Sequence, residues 1–200
     1  FLDLNGTIYG EEQTLAHGIV PSSSPQGLVS AGTMPGEPVP AGTFGHLVVP
    51  AQTVPNNQYI SAYYLTFDHW YHLDSTTSGG GDGTWVEYRL QSDSNWGNWS
   101  YIEPQGGYPS TLSTDAPVPS GASSPVPVFA SDSHSGWVTS NFSLSSLSGI
   151  DQADNIQFRF VIWTHPDSTN ERPGWFIDQI ETINEGVNLD VWHHGCYTTT

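Results

Sequence analysis

Residues 156–163 read IQFRFVIW, with Ile156, Phe158, Phe160 and Ile162 at every second position. A period of two puts these four on one face of a β-strand and Gln157, Arg159, Val161 and Trp163 on the other. The same alternation recurs at Tyr63–Asp74 (YYLTFDHWYHLD), where Leu65, Phe67, His69, Tyr71 and Leu73 share a face. Thr84–Leu90 (TWVEYRL) sets Val86, Tyr88 and Leu90 against Trp85, Glu87 and Arg89. Gly136–Leu144 and Trp175–Ile183 read as two further strands, with Gly- and Ser-rich loops such as 78–83 and 104–124 between the segments. No apolar stripe recurs at i, i+3, i+4, so helix is confined to a single turn over Ser143–Ile150. Regularly spaced strands joined by turns predict an all-β, antiparallel β-sandwich.

Composition fixes the setting. The 8 Trp, 9 Tyr and 8 Phe are too many for a chain that stays unfolded under high net charge. The 21 Gly and 15 Pro suit many short turns. Charge is one-sided: 20 Asp and Glu face 3 arginines (Arg89, Arg159, Arg172), with no lysine and a net charge of −17. Nucleic-acid binding needs a cationic footprint that this chain lacks, and attraction to anionic lipid fails for the same reason. Schiff-base chemistry and P-loop phosphate capture lose their lysine. No apolar run of roughly 18 residues occurs, so membrane insertion is not expected.

Cys196 is the single cysteine, which rules out an internal disulfide. Three sequons, at Asn5, Asn98 and Asn141, point to an extracellular or cell-surface glycoprotein. The acid excess agrees, because repulsion among these charges is largely screened where salt is near 1 M and the Debye length is about 3 Å. A saline habitat or bound divalent cations resolves the repulsion. The opening at Phe1 fits a processed mature protein or an excerpt of a longer chain.

Three regions are expected: an extended Pro/Gly-rich N-terminal arm over 1–45, a sandwich over 46–185 and a tail over 186–200. The order of LTFDHWYHLD, WVEYRLQSDSNWGNW, GGYPS, GWVTSNFSLSSLSG, IQFRFVI and RPGWFIDQIETI resembles the jelly-roll accessory modules of immune-inhibitor-A-type secreted metallopeptidases, relatives in fold of MAM and galactose-binding-like domains. The resemblance covers the sandwich region and implies a jelly roll. It also implies a non-catalytic module used in adhesion, glycan contact or assembly, with Trp70, Trp137 and Trp175 at packing positions. Trp85, Trp96 and Trp163 stand where such modules carry smaller or polar residues, which makes them expected surface additions. The peptidase itself is not implied, because no His-Glu-x-x-His stretch is present.

Related sandwiches hold a structural calcium through an acid on the last strand, which corresponds to Asp178. Asp74, at a strand end, and Asp82, in Gly-Gly-Gly-Asp-Gly, are further candidate ligands, since calcium takes several oxygens from acids and turn carbonyls. A solvated turn accounts for Asp82 equally well. His193, His194 and Cys196 invite a transition-metal reading, but adjacent histidines on an extended segment point apart, and a plain tail explains them. His69 reads as a hydrogen-bonded core histidine rather than a catalyst, and no Gly-x-Ser-x-Gly elbow signals a hydrolase. Glu87 reads as a surface ion-pair partner of Arg89 or Arg159. Trp96, Trp99, Tyr101 and Tyr108 form the candidate glycan platform, although Trp99 and Tyr108 also suit a role in closing a loop.

The arm residues Phe1, Leu2, Leu4 and Ile8 have strand-like spacing, broken at Asn5-Gly6. They either add as a strand to a neighbouring subunit's open edge or cover their own sandwich. The expectation is therefore a non-enzymatic, self-associating structural or adhesive protein. The alternative is a glycan-binding module of a larger secreted hydrolase or peptidase.

Overall fold

The computed structural model describes residues 14–15, 18–19, 31–33, 37–55, 60–74, 81–131, 136–168 and 172–186. Its strands are β1 (Thr14–Leu15), β2 (Gly18–Ile19), β3 (Ala31–Gly32), β4 (Phe44–Val48), β5 (Gln52–Thr53), β6 (Ile60–His72) and β7 (Gly83–Ser92). They continue with β8 (Asn95–Trp96), β9 (Ser100–Ile102), β10 (Ser110–Thr111), β11 (Pro127–Val128), β12 (Val138–Ser143), β13 (Asn155–Trp163) and β14 (Gly174–Gly186). The helical turn expected over Ser143–Ile150 is not formed there: Ser143 ends β12, and a short 3-10 turn lies instead at Ile150–Gln152. The molecule is an antiparallel β-sandwich: a four-stranded sheet ordered β12-β6-β14-β3 faces a six-stranded sheet ordered β4-β13-β7-β8, with β5 pairing β13 and β9 pairing β7.

The alternation read from the sequence builds the main core. Leu65, Phe67, Phe142, Trp175 and Ile177 from one sheet meet Val86, Ile156, Phe158 and Phe160 from the other, all buried. Their rings pack edge-on: Phe67 lies 4.9 Å from Phe160 and Trp175 lies 5.6 Å from it, centroid to centroid. His69 sits among them, fully buried, as expected. Its Nδ1 accepts from Trp175 Nε1–H at 3.0 Å, so the proton resides on Nε2, which lies 2.9 Å from Ser140 Oγ. Burial lowers its pKa to about 3, keeping the ring neutral.

A second core lies on the outer face of the six-stranded sheet, where solvent was expected. Trp85, Val161 and Trp163 are covered there by Leu112, Ala116, Val126, Val128 and Ala130 from the 104–131 excursion. Trp85 and Trp163 are therefore packing residues, which corrects their assignment as surface additions. Trp70 and Phe176 form a third, small cluster with partly buried Trp137 against it. Two glycines enforce this closeness. A Cβ on Gly83 would meet Val128 Cγ2 at 2.5 Å, and one on Gly174 (φ +98°) would meet Thr33 Oγ1 at 1.9 Å.

The sandwich also reaches upstream of residue 46. Ala31–Gly32 pairs with Phe176 and Ile177 of β14, and Trp175 N–H donates to the buried Thr33 hydroxyl at 2.8 Å. Val39 is buried and bridges Arg172. Residues 31–33 and 37–45 thus pack with the sandwich, although their Gly/Pro-rich text reads as arm.

Candidate functional site

Where the 104–131 excursion stops, the outer face of the six-stranded sheet carries charged and aromatic side chains. Glu87 on β7 stands opposite Arg159 on β13. Arg159 Nε–H donates to Glu87 Oε2 at 2.8 Å, and Trp85 Nε1–H donates to Glu87 Oε1 at 2.7 Å. The Glu87 side chain is only 3% exposed. The carboxylate is thus buried and the pair only partly exposed, at Arg159, which corrects the expectation of a surface pair. One strand position further on, Arg89 donates from Nε and Nη2 to Gln157 Oε1 at 3.0 and 2.6 Å. Its guanidinium carbon lies 4.6 Å from the ring centres of both Trp96 and Trp99, and that of Arg159 lies 4.7 Å from Trp99. Each such contact contributes about 0.5–2 kcal/mol.

The four residues expected to form a glycan platform separate into two environments. Trp96 and Trp99 are half-buried and lie against the arginines. Tyr101 and Tyr108 are packing residues. The Tyr101 hydroxyl donates to Pro127 O at 2.6 Å, and the Tyr108 hydroxyl donates to Ile102 O at 2.9 Å and accepts from Val86 N–H at 3.1 Å. Burial raises the pKa of both phenols. Asn98 and Asn141 are exposed. Asn5, Phe1, Leu2, Leu4, Ile8, His193, His194 and Cys196 lie outside the described residues.

The acids expected to bind calcium also divide. Asp178 pairs opposite Asp68 on β6, six residues before Asp74, which follows the end of that strand, a separation of roughly 20 Å at strand rise. Asp178 marks a β-bulge, its Oδ1 accepting from the N–H of Gln179, whose φ is +49°. Asp74 and Asp82 do come together. Both are buried, and Asp82 N–H donates to Asp74 O at 2.7 Å. Asp82 Oδ1 accepts from the backbone N–H of His165 at 2.9 Å. Sequence reasoning missed His165; its Nδ1 accepts from Asp167 N–H, leaving Nε2 to face Asp115 Oδ2 at 3.1 Å. Among the described residues, no three His, Cys, Asp or Glu side chains converge as a metal set.

Asp82 is therefore a buried carboxylate rather than a solvated turn residue. Burial, reinforced by the Asp74 charge, raises its pKa to about 6. Because the folded-state value exceeds the unfolded one, the stability it contributes is present below about pH 4 and is lost as pH rises through about 6. Asp82→Asn keeps the oxygen that accepts from His165 and removes the charge. In chelator-containing buffer it should raise the melting temperature at pH 8, by the equivalent of roughly 2–3 kcal/mol, and leave it unchanged near pH 4. A variant that melts lower at pH 8 would disprove this account of Asp82.

One sheet edge differs from the rest. Val49 N–H donates to Phe158 O at 3.1 Å, and Thr164 N–H donates to Thr43 O at 2.9 Å. Bonded pairs recur at every second residue of an antiparallel ladder. Gly45 and Leu47 therefore turn their backbone groups toward β13, while Phe44, His46 and Val48 turn theirs outward. No strand pairs with that outer edge among the described residues. Phe44 is 57% exposed and Val48 41%. The other edges are interrupted in different ways: Gln105 N–H donates to Asn141 O on β12, Tyr101 N–H on β9 donates to Ser120 O, and two-residue β3 pairs with β14 at Phe176 and Ile177, beyond which β14 carries Asp178, Glu181 and Glu185. Beside the end of β4, a cleft of about 500 Å³ opens between the sheets, floored by Leu65 and Phe158 and rimmed by Gln52, Glu181 and Thr182. The signal missed in the sequence is FGHLV, an uncharged strand-length run between Pro40 and Pro50.

No protein-family model matches the chain, and no curated protein matches it.

Proposed function

We propose that this protein is an extracellular, non-enzymatic structural or adhesive component whose copies join by strand addition to β4. The carrying observation is the edge at Phe44, His46 and Val48, which no described strand pairs with: it is uncharged, free of proline and flanked by exposed apolar side chains. Sheet proteins ordinarily protect such an edge with charge, proline, a bulge or a covering loop; β12 and β9 each meet a loop, and β14 beyond its short partner β3 carries a bulge and three acids. The arm Phe1–Tyr9 of a neighbour is the donor in this proposal. Its backbone would bond to the outward groups of β4, while Leu2 and Leu4 turn into the inter-sheet cleft. Such head-to-tail contacts generate filaments when the rotation does not close.

The strand order supports a jelly-roll reading. Numbering β3, β4, β6, β7, the β8–β9 pair, β12, β13 and β14 in chain order gives 1-8-3-6 packed on 2-7-4-5. Structural calcium at Asp74 and Asp82 belongs to the same proposal, because two adjoining buried carboxylates are relieved by a divalent cation. Glycan binding stays the second reading, now resting on Trp96 and Trp99 alone.

His46→Pro removes one outward N–H and no bond to β13, a substitution that edge strands tolerate. The variant should keep the wild-type stability to within roughly 1 kcal/mol and lose self-association in sedimentation velocity. Deleting residues 1–9 should have the same effect. Polymers that persist in both would reject strand addition at this edge.

A further inference from the structure

We infer that Arg89 is the anchor for a carboxylate of a second copy of this chain, at a docking patch formed by Arg89, Trp96, Trp99 and Val48. The inference rests on the self-association proposed above and names the chemistry that directs it. Of the 3 arginines opposed to 20 acids, Arg159 is committed to Glu87. Arg89 has no carboxylate within ion-pair distance among the described residues. It is instead held by the neutral Gln157 amide oxygen and by two indole rings.

That environment fixes the guanidinium without neutralising it. Long side chains ordinarily lose rotamer freedom when they bind, and here the ordering is complete before any partner arrives. Arg89 is also only half-buried, so a partner can reach it. Tryptophan and arginine are the residues most enriched at energetic centres of protein interfaces. The patch is continuous with the open edge: Val48, exposed on β4, pairs with Arg159, and Arg159 shares the Trp99 ring with Arg89.

Charge complementarity selects the occupant. A chain with 20 acids brings carboxylates to nearly any contact it makes with its own copy, and a desolvated like-charge contact is costly. A guanidinium awaiting a carboxylate fixes which approach is tolerated. An acidic glycan carries the same group and is the competing occupant that the test separates.

The test uses the full chain in sedimentation velocity at low salt (about 0.01 M) and near 1 M, where the Debye length falls from about 30 Å to about 3 Å. Arg89→Gln should weaken association by about tenfold or more in low salt, the loss expected of one charge-assisted hydrogen bond. The deficit relative to wild type should shrink to within about twofold near 1 M. A deficit equal at both salts would mean that Arg89 only props the two indoles, which overturns the inference. Unchanged association with lost retention on polygalacturonate also overturns it, in favour of an acidic glycan. If His46→Pro dissociates the protein while Arg89→Gln does not, the patch is wrong and strand addition stands. If neither variant dissociates it, both ideas fall.

Discussion

Replacing Arg159 by leucine should lower the stability of this protein by roughly 3–5 kcal/mol, the cost of leaving a buried charge without its partner. Glu87 is almost entirely buried, and its two oxygens are served by Trp85 Nε1–H and by Arg159. Leucine fills part of the arginine's volume and none of its charge. It also uncovers Trp99, over which the Arg159 guanidinium lies. For a domain of about this size each kcal/mol moves the melting temperature by about 2–4 °C, so the drop should be plain in a thermal scan. Adding Glu87→Gln to Arg159→Leu should restore most of the loss, because glutamine still accepts from Trp85 and carries no charge. Urea midpoints of the two single variants and the double variant measure this coupling. A single variant within about 1 kcal/mol of wild type would show that the pair contributes little, as exposed pairs do.

Trp175→Ala is the second large effect, expected at about 3–5 kcal/mol from lost burial and the cavity alone. The ring has no exposed surface and touches both sheets, lying 6.2 Å from Phe67 and 5.6 Å from Phe160. Removing it also leaves His69 Nδ1, buried and neutral, without the indole N–H it accepts from, which adds about 1–3 kcal/mol. Since a whole domain is stable by only about 5–15 kcal/mol, the alanine variant is expected near the limit of folding at 25 °C. Trp175→Phe separates the contributions: it keeps an aromatic ring in the seam and loses only the hydrogen bond and part of the volume. It should fold, with a urea midpoint between wild type and alanine. Equal losses for phenylalanine and alanine would locate the whole effect in the His69 hydrogen bond rather than in packing.

Both effects bear on the proposed assembly, because β13 carries Arg159 and also holds β4 in place through five paired positions, Phe44 to Val48. A subunit that loosens at Glu87–Arg159 loosens the strand whose outer edge is the proposed acceptor. Stability and association should therefore fall together in Arg159→Leu, whereas His46→Pro should separate them.

The inward faces of β6, β7 and β13 were legible in the sequence, because a period of two is a local property of the chain. Ile156, Phe158 and Phe160 face Leu65 and Phe67 as the alternation requires. His69 was legible for the same reason, lying in step with four apolar neighbours. The fate of the opposite faces was not. Trp85 and Trp163 are buried by Leu112, Val126 and Val128, residues far along the chain in a segment whose Gly, Pro and Ser content reads as loop. Alternation reports which side chains share a face; whether water or another layer meets that face depends on contacts that no local pattern encodes.

The candidate site divides along the same line. Composition and alternation alone establish that cations are scarce, that Glu87, Arg89, Arg159 and Gln157 lie opposite the main core, and that Trp96 and Trp99 follow Arg89 closely in the chain. That Glu87 is buried against Arg159, while Arg89 rests on indoles with no carboxylate in ion-pair range among the described residues, follows only from how the strands pack. That outcome depends on sheet register, which sets Glu87 opposite Arg159 and Arg89 opposite Gln157; a shift of one residue would send all four to the other face. The edge of β4 that no described strand pairs with is likewise a tertiary fact. Hydrogen-bonding groups are present in every strand, and only the order of strands in the sheet leaves those of Phe44, His46 and Val48 facing outward.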